Sequence, residues 1–179
     1  ALQQAALTAG KLVFVNDKGE ELDLHYRDLQ RQAVQVLGAL QSLGAKPGKT
    51  VILQLDELDE FLVSFWACIC GGLVPVPVLP FRNAEANDSS FRKLQKIAAQ
   101  LDNPFILMGH RNAESVRRAN ETENESDGSL LLNGRITTFA DISNTEKSGT
   151  VHVAQPDDQA FLQFTSGSTS FPKGVCITH

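Results

Sequence analysis

The residues best suited to chemistry lie in one short segment, TSGSTSFPKG, at positions 165–174. Gly167 and Gly174 allow the backbone to approach a ligand closely, and Lys173 adds one positive charge. Hydroxyl and amide donors next to a lysine suit phosphate oxygens. The segment therefore predicts a phosphate-binding loop, with an ordinary serine-rich hairpin turn as the alternative. Its five hydroxyl side chains fall within six residues: Thr165, Ser166, Ser168, Thr169 and Ser170.

The flanks of this loop indicate how it is held. Apolar runs lie on either side, FLQF at 161–164 and VCIT at 175–178, and both are typical of short strands. The Gly-x-x-x-x-Gly-Lys-Ser/Thr spacing of a Walker loop is absent, and no helical pattern follows. The sequence thus predicts a loop between two strands.

Residues 50–108 alternate between strand and helix patterns. The run at 50–55 is largely apolar, which suits a strand covered on both faces, and 105–108 is a second such run. Helices are predicted at 59–72, which is apolar nearly all round, and at 91–101, with Ser89 or Ser90 as its cap. This alternation predicts an α/β domain with a largely parallel sheet flanked by helices.

Proline limits the segment LVPVPVLP at 73–80 to the edge of that sheet. Pro75 and Pro77 have no backbone N–H to donate to a strand ladder, so the segment is predicted to be a strand end or an edge strand.

The N-terminal part predicts a hairpin followed by a helix. Two apolar stretches flank a turn at 17–20, where Gly19 can adopt a positive φ. Apolar side chains then recur every three or four residues from Tyr26 to Leu43, and Gly44 is placed to end that helix.

Residues 110–150 are polar and charged, and they are predicted to be a partly disordered insert. Within this insert, LLLNGRITTF at 130–139 favours one further strand. A turn at 156–158 is predicted before the strand that leads into the loop.

Composition excludes several classes of function. The chain has 179 residues and a net charge of −5, which argues against nucleic-acid binding, and no apolar run is long enough to span a membrane. The four histidines show no metal-ligand spacing. Cys68, Cys70 and Cys176 are predicted to be buried and reduced, which favours a reducing compartment such as the cytoplasm.

The loop resembles the signature loop of the adenylate-forming superfamily, which includes acyl-CoA synthetases, fatty acyl-AMP ligases, luciferases and peptide-synthetase adenylation domains. The resemblance is carried by Thr165–Thr169, then Pro172–Val175, and continues into FLQF before the loop and ITH after it. Upstream, Tyr26, Leu29 and Ala33 are similar to residues of the family's first helix, and FWACICGGLVPVPV at 65–78 is similar to its next helix and strand.

This resemblance implies the first lobe of the family's N-terminal domain, cut after the phosphate loop, in an enzyme that forms acyl-AMP from ATP and a carboxylic acid. ATP and Mg²⁺ are the implied cofactors. A small fatty or aryl acid is the implied substrate, with a carrier protein or CoA as acyl acceptor. Catalytic residues are not assigned, and the fragment is expected to be inactive alone. The implied ligands of the β- and γ-phosphates are Thr165, Ser166, Gly167, Ser168, Thr169, Lys173 and Gly174.

One position departs from the family pattern. Ser170 stands where relatives usually have glycine, and a serine held at positive φ would cost about 1 kcal/mol or more. The alternative function is a non-catalytic, adenylation-like scaffold or binding module, which Ser170 slightly favours.

Overall fold

The computed structural model describes residues 1–15, 18–85, 88–122, 132, 134–165 and 172–179, without the side chains of 120–122. The helices in this part of the chain are α1 (Leu2–Ala5), α2 (Tyr26–Ser42), α3 (Leu58–Gly71), α4 (Ser89–Gln100), α5 (His110–Thr122) and α6 (Phe139–Ser143). The strands are β1 (Lys11–Val15), β2 (Glu21–His25), β3 (Thr50–Gln54), β4 (Val74–Pro77), β5 (Phe105–Met108), β6 (Arg135–Thr138), β7 (Gln159–Thr165) and β8 (Lys173–Thr178).

A four-stranded parallel sheet in the order β4-β3-β5-β6 forms the centre of the fold. Alternate residues of β3 face opposite sides, so Val51 and Leu53 pack with α2 and α3, whereas Ile52 packs with α4 and α5. Burial on both faces is the reason for the nearly uninterrupted apolar runs of β3 and β5. The predicted α/β class, the flanked parallel sheet and the N-terminal hairpin (β1 paired with β2) are all confirmed.

The prolines of β4 explain its position at the edge of the sheet. The amides of Val74 and Val78 donate to the carbonyl oxygens of Lys49 and Leu53, at 2.9 and 3.0 Å. Because amides alternate in direction along a strand, the nitrogens of Pro75 and Pro77 face away from β3, where no ladder bond is needed. Strand β7 packs beside β4 but pairs with β8, in a separate two-stranded sheet.

The start of α4 corrects one sequence prediction. The helix cap is Asp88 and not Ser89 or Ser90, because the Asp88 Oδ1 accepts hydrogen bonds from the amides of Ser90 and Phe91 at 2.8 and 2.9 Å. A serine one or two positions later lies inside the first turn, where its side chain cannot fill this role.

We expect Asp88→Ala to lower the free energy of unfolding by about 1 kcal/mol, because it removes this cap. The amide of Phe91, followed by those of Asn83, Arg82 and Ser90, holds the pKa of Asp88 below its ordinary value. Stabilisation by the carboxylate is therefore complete above the unfolded-state pKa of about 4 and is lost as pH falls through the lower folded-state pKa.

Urea unfolding at neutral and acidic pH measures both the loss of stability in Asp88→Ala and its dependence on pH. Asp88→Asn can cap through Oδ1 without titrating, but its Nδ2 cannot accept from the amides of Arg82 and Asn83, so it should keep most of the cap's stability at neutral pH and lose this part of the acid dependence. Equal acid dependence in the wild type and Asp88→Asn would contradict the assignment.

Parts of the polar segment 110–150 have regular structure. Helix α5 buries Ala113 and Val116 against the sheet, and β6 is the further strand predicted in this region. Helix α6 begins with a capping box, in which Thr138 and Asp141 each accept a hydrogen bond from the other's backbone amide, at 3.2 and 3.1 Å. Partial disorder of the segment stays a prediction, because residues 123–131 and 133 lie outside the described part of the chain.

A segment without regular secondary structure at residues 145–153, here called the strap, crosses the middle and the C-terminal part of α2 and the end of α3. The amide of Gly149 donates to the carbonyl oxygen of Val34 at 2.7 Å, and that of His152 donates to Cys70 at 2.8 Å. The side chain of Gln41 makes two 2.9 Å hydrogen bonds with the backbone of Thr150. These hydrogen bonds hold the strap against α2 and α3 before the chain enters β7.

Candidate phosphate-binding hairpin

The predicted loop lies at the end of an antiparallel hairpin. Thr165 is the last residue of β7 and pairs with Lys173, the first residue of β8. The Thr165 hydroxyl donates to the carbonyl oxygen of Lys173 over a long 3.4 Å contact. Both side chains are exposed at the mouth of the loop. The hairpin predicted from the two apolar runs is therefore present, and it brings these two predicted site residues together.

Side chains of β7 fix the hairpin on the rest of the molecule. Phe164 is 8% exposed and belongs to the core between the sheet and α4. The ring of Phe161 lies against Phe65 of α3, with ring centroids 5.7 Å apart in an edge-to-face arrangement. Strand β7 is thus anchored on both sides, so the end that carries the loop has a defined position.

Gly174 has a structural reason to be glycine. It pairs with Phe164 across the hairpin, and a Cβ at this position would lie 3.2 Å from the Phe164 ring. The missing side chain therefore makes room for an anchoring ring. Close approach to a ligand, which the sequence predicts for Gly174, stays a separate prediction.

The other predicted site residues lie outside the described part of the chain. Ser166, Gly167, Ser168 and Thr169 fall between the two strands, in the segment 166–171, and their roles stay predictions. One contact next to that segment was missed by the sequence analysis. Gln100 of α4 donates from Nε2 to the carbonyl oxygen of Pro172 at 3.4 Å, which places the end of α4 beside the loop.

The hairpin carries few charged side chains. From residue 159 to 179 the chain has one lysine and neither aspartate nor glutamate. Among the described residues, no group of three or more His, Cys, Asp or Glu side chains could hold a metal ion. Because Mg²⁺ prefers carboxylate and phosphate oxygens, these strands do not fit a protein-held Mg²⁺.

The cysteines differ from the prediction that all three are buried. Cys68 is buried, and burial raises the pKa of its thiol, but Cys70 is only half-buried and Cys176 is exposed. Cys176 lies on β8, whose six residues are all exposed because β8 is the outer strand of the hairpin. Its apolar neighbours Val175 and Ile177 are exposed as well.

Comparison with known protein families decides what this hairpin belongs to. The family model of the AMP-binding enzymes matches residues 2–179, nearly the whole chain. The chain belongs to the AMP-binding enzyme family. The resemblance predicted from the loop and from the upstream helix and strand is thereby confirmed.

Individual AMP-binding relatives agree in sequence and in fold. The nonribosomal peptide synthetase atrA of Aspergillus terreus is 31% identical over 157 residues, which cover 86% of this chain and 15% of the synthetase. The solved structure of McyG A-PCP complexed with phenylalanyl-adenylate is 29% identical, with a TM-score of 0.88, and the match covers 99% of this chain and 31% of that one. A fatty acid AMP ligase from Legionella pneumophila is 28% identical, with a TM-score of 0.78, over 99% and 29% of the two chains.

This AMP-binding chain thus spans less than a third of the length of these relatives. None of the helices in its described part combines the length and apolar character needed to cross a membrane.

Proposed function

We propose that this chain is the N-terminal part of an enzyme that forms an acyl-adenylate from ATP and a carboxylic acid, and that residues 165–174 bind the phosphates of ATP. The observation that carries the proposal is the hairpin itself. In a chain of the AMP-binding family, Thr165 and Lys173 stand side by side at the mouth of a loop rich in hydroxyls and glycine. The size of the relatives supports a longer parent protein.

The proposed reaction is a nucleotidyl transfer. A carboxylate oxygen attacks the α-phosphorus of ATP, the bond from that phosphorus to the bridging oxygen breaks, and pyrophosphate leaves. Negative charge grows on the departing β- and γ-phosphates, so donors held beside them lower the barrier. Lys173 supplies a positive charge there, and the hydroxyls of Thr165, Ser166, Ser168 and Thr169 donate hydrogen bonds. Gly167 and Gly174 give the phosphates access to the backbone.

Mg²⁺ enters this proposal together with ATP. Because residues 159–179 contain neither aspartate nor glutamate, the hairpin does not hold the ion, and phosphate oxygens and residues outside the hairpin would supply its ligands. Within this chain, Lys173 supplies positive charge to the phosphates, and the loop donors add hydrogen bonds.

The substrate and the acyl acceptor are proposed only as chemical classes. A small fatty or aryl carboxylic acid is the proposed substrate, and a carrier protein or CoA is the proposed acceptor. The support is that relatives include a peptide synthetase and a fatty acid AMP ligase. A cytoplasmic location, where ATP and CoA are available, completes the proposal.

Exchange of radiolabelled pyrophosphate into ATP tests this function in the longer protein that contains residues 1–179. We expect exchange that requires one carboxylic acid from a panel of fatty, aryl and amino acids, because reversal of adenylate formation incorporates the label. The Lys173→Ala protein is the control for the site. A folded longer protein that shows no exchange with any acid would overturn the proposal and favour the scaffold function, which Ser170 in place of the family's usual glycine would then help to explain.

A further inference from the structure

Strand β8 has the sequence of a covered strand but lies in an exposed position. Val175, Cys176 and Ile177 are consecutive apolar residues, so apolar side chains point to both faces of the hairpin. In β3 and β5 the same kind of run is buried on both faces by helices. All six residues of β8 are exposed instead. Among the described residues, β8 therefore lacks the neighbours that its pattern predicts.

The outer edge of β8 is open as well. Its one strand partner in the described part of the chain is β7, so no strand lies along its other edge. Exposed edge strands of stable proteins are commonly blocked by charged side chains or proline. After Lys173, the segment 174–178 contains neither a charged residue nor a proline. An apolar, unblocked edge of this kind fits a strand added from elsewhere.

An apolar surface on α3 continues one face of the hairpin. Phe161 pairs with Ile177, so their side chains share a face. The Phe161 ring contacts Phe65 with centroids 5.7 Å apart, and the Phe65 ring lies 6.0 Å from that of Phe61. These three rings are half-buried, and Leu58, one turn before Phe61 on α3, is 58% exposed. The resulting surface, here called the apolar face, consists of Leu58, Phe61, Phe65, Phe161, Val175 and Ile177.

We propose that a strand from the rest of the parent polypeptide pairs with the open edge of β8, and that apolar side chains of the same polypeptide cover the apolar face. The inference rests on the longer parent of the proposed function and not on its chemistry. In the McyG structure, the part that matches this chain with a TM-score of 0.88 is 31% of the chain, so most of that polypeptide lies outside the shared fold. A parent of similar size has ample chain to cover β8. Because Lys173 begins β8, the same pairing fixes the strand that carries the predicted phosphate ligand.

The thiol of Cys176, in the middle of β8, reports whether the strand is covered. In the longer protein that contains residues 1–179, we expect a maleimide to modify Cys176 at least about 10-fold more slowly than the thiol introduced by Lys46→Cys on the exposed turn after α2. A covered thiol reacts only when the strand opens. Cys68, which is buried in the core, gives the rate of a fully covered thiol. Mass spectrometry of peptides assigns each modified position.

Two outcomes of the thiol experiment would overturn the proposal. Equal rates at Cys176 and at position 46 would show that β8 stays exposed in the longer protein. Protection of Cys176 that disappears on dilution would show that a second copy of the protein covers the strand. Protection that is independent of protein concentration supports a cover from the same polypeptide.

Val175→Lys tests the contact independently of thiol chemistry. Val175 is 47% exposed, so without a cover the substitution should leave the urea midpoint of the longer protein almost unchanged. Beneath an apolar cover the lysine is desolvated, and the midpoint should fall by about 0.5 M or more. The matched control is Val13→Lys, because Val13 is 46% exposed in the β1–β2 hairpin and also lies two residues after a lysine. Equal midpoints for the two variants would contradict a cover over β8.

Pyrophosphate exchange separates this inference from the proposed function. The thiol and urea measurements need neither ATP nor an acid substrate. If Cys176 is protected and the folded longer protein shows no exchange, the adenylation proposal fails and the covered strand stands. If exchange occurs while Cys176 reacts as fast as the thiol at position 46, the cover is refuted and the proposed function stands.

Discussion

Lys173→Ala is expected to reduce kcat/KM for ATP about 10- to 150-fold in the longer protein. A charge-assisted contact with phosphate is worth about 1.5–3 kcal/mol, and Lys173 is the one lysine or arginine among residues 148–179. Thermal stability should hardly change, because the side chain is exposed at the start of β8 and its backbone oxygen still accepts from Thr165. Steady-state pyrophosphate exchange at varied ATP, with melting curves for each protein, measures both quantities.

Lys46→Ala is the matched control for Lys173→Ala. Lys46 is also exposed, but it lies on the turn after α2, and its neighbours Pro47 and Gly48 line a pocket with Gln159 at the start of β7, the end of that strand opposite Thr165. Its removal changes net charge equally, so it accounts for any non-specific electrostatic effect on ATP. Equal losses in the two variants would show that the charge acts through the whole protein, and the assignment of Lys173 to phosphate would fail.

Gly38→Ala is expected to lower the free energy of unfolding by about 1–3 kcal/mol, although alanine is normally favoured over glycine within a helix by about 1 kcal/mol. Gly38 lies in the middle of α2 and is buried beneath the strap. A Cβ there would lie 2.9 Å from the Gly149 nitrogen and closer still to the carbonyl oxygen of Lys147. Both are backbone atoms, and the hydrogen bond from Gly149 to Val34 holds that backbone in place, so it cannot yield at low cost.

Chemical denaturation of Gly38→Ala and of Ala39→Gly gives the comparison. Ala39→Gly, at the adjacent position of the same helix, calibrates the helix-propensity term, which should cost about 1 kcal/mol. If propensity alone governs position 38, Gly38→Ala will be more stable than the wild type. That result would contradict the close approach of the strap.

Much of the fold could be predicted from the sequence because its signals are local. Helix α2 begins at Tyr26, as its apolar spacing predicts, and ends one residue before the predicted Leu43. The positive φ values of Gly19 and Gly44 match the turn and the helix end predicted there. The apolar run of β3 predicts burial on both faces, and Pro75 and Pro77 predict an edge strand. In each case the residues that specify a helix, strand or turn lie within a few positions of it.

Part of the candidate site could also be predicted from the sequence, because the signals for that part are local. The types and spacing of Thr165, Lys173 and their neighbours predict a loop between two strands, and the hairpin brings those two residues together. The sequence could not indicate that Phe164 fills the space left by Gly174, or that Gln100 reaches Pro172. Those contacts depend on how the hairpin packs against β4 and α4, and strand pattern alone does not specify that packing.

What the sequence determined by itself was the type and order of the elements, together with the loop chemistry, because periodicity, turn residues and side-chain donors act over short distances. The tertiary structure alone decided which surfaces are covered. It exposes Cys176 on an outer strand despite its apolar neighbours, selects Asp88 over two adjacent serines as the cap of α4, and brings the strap onto Gly38 from about a hundred positions away. It also places His152 beside Asp158 and Gly72. Such contacts join segments far apart in the chain, so no local pattern records them, and only packing of the complete fold selects them.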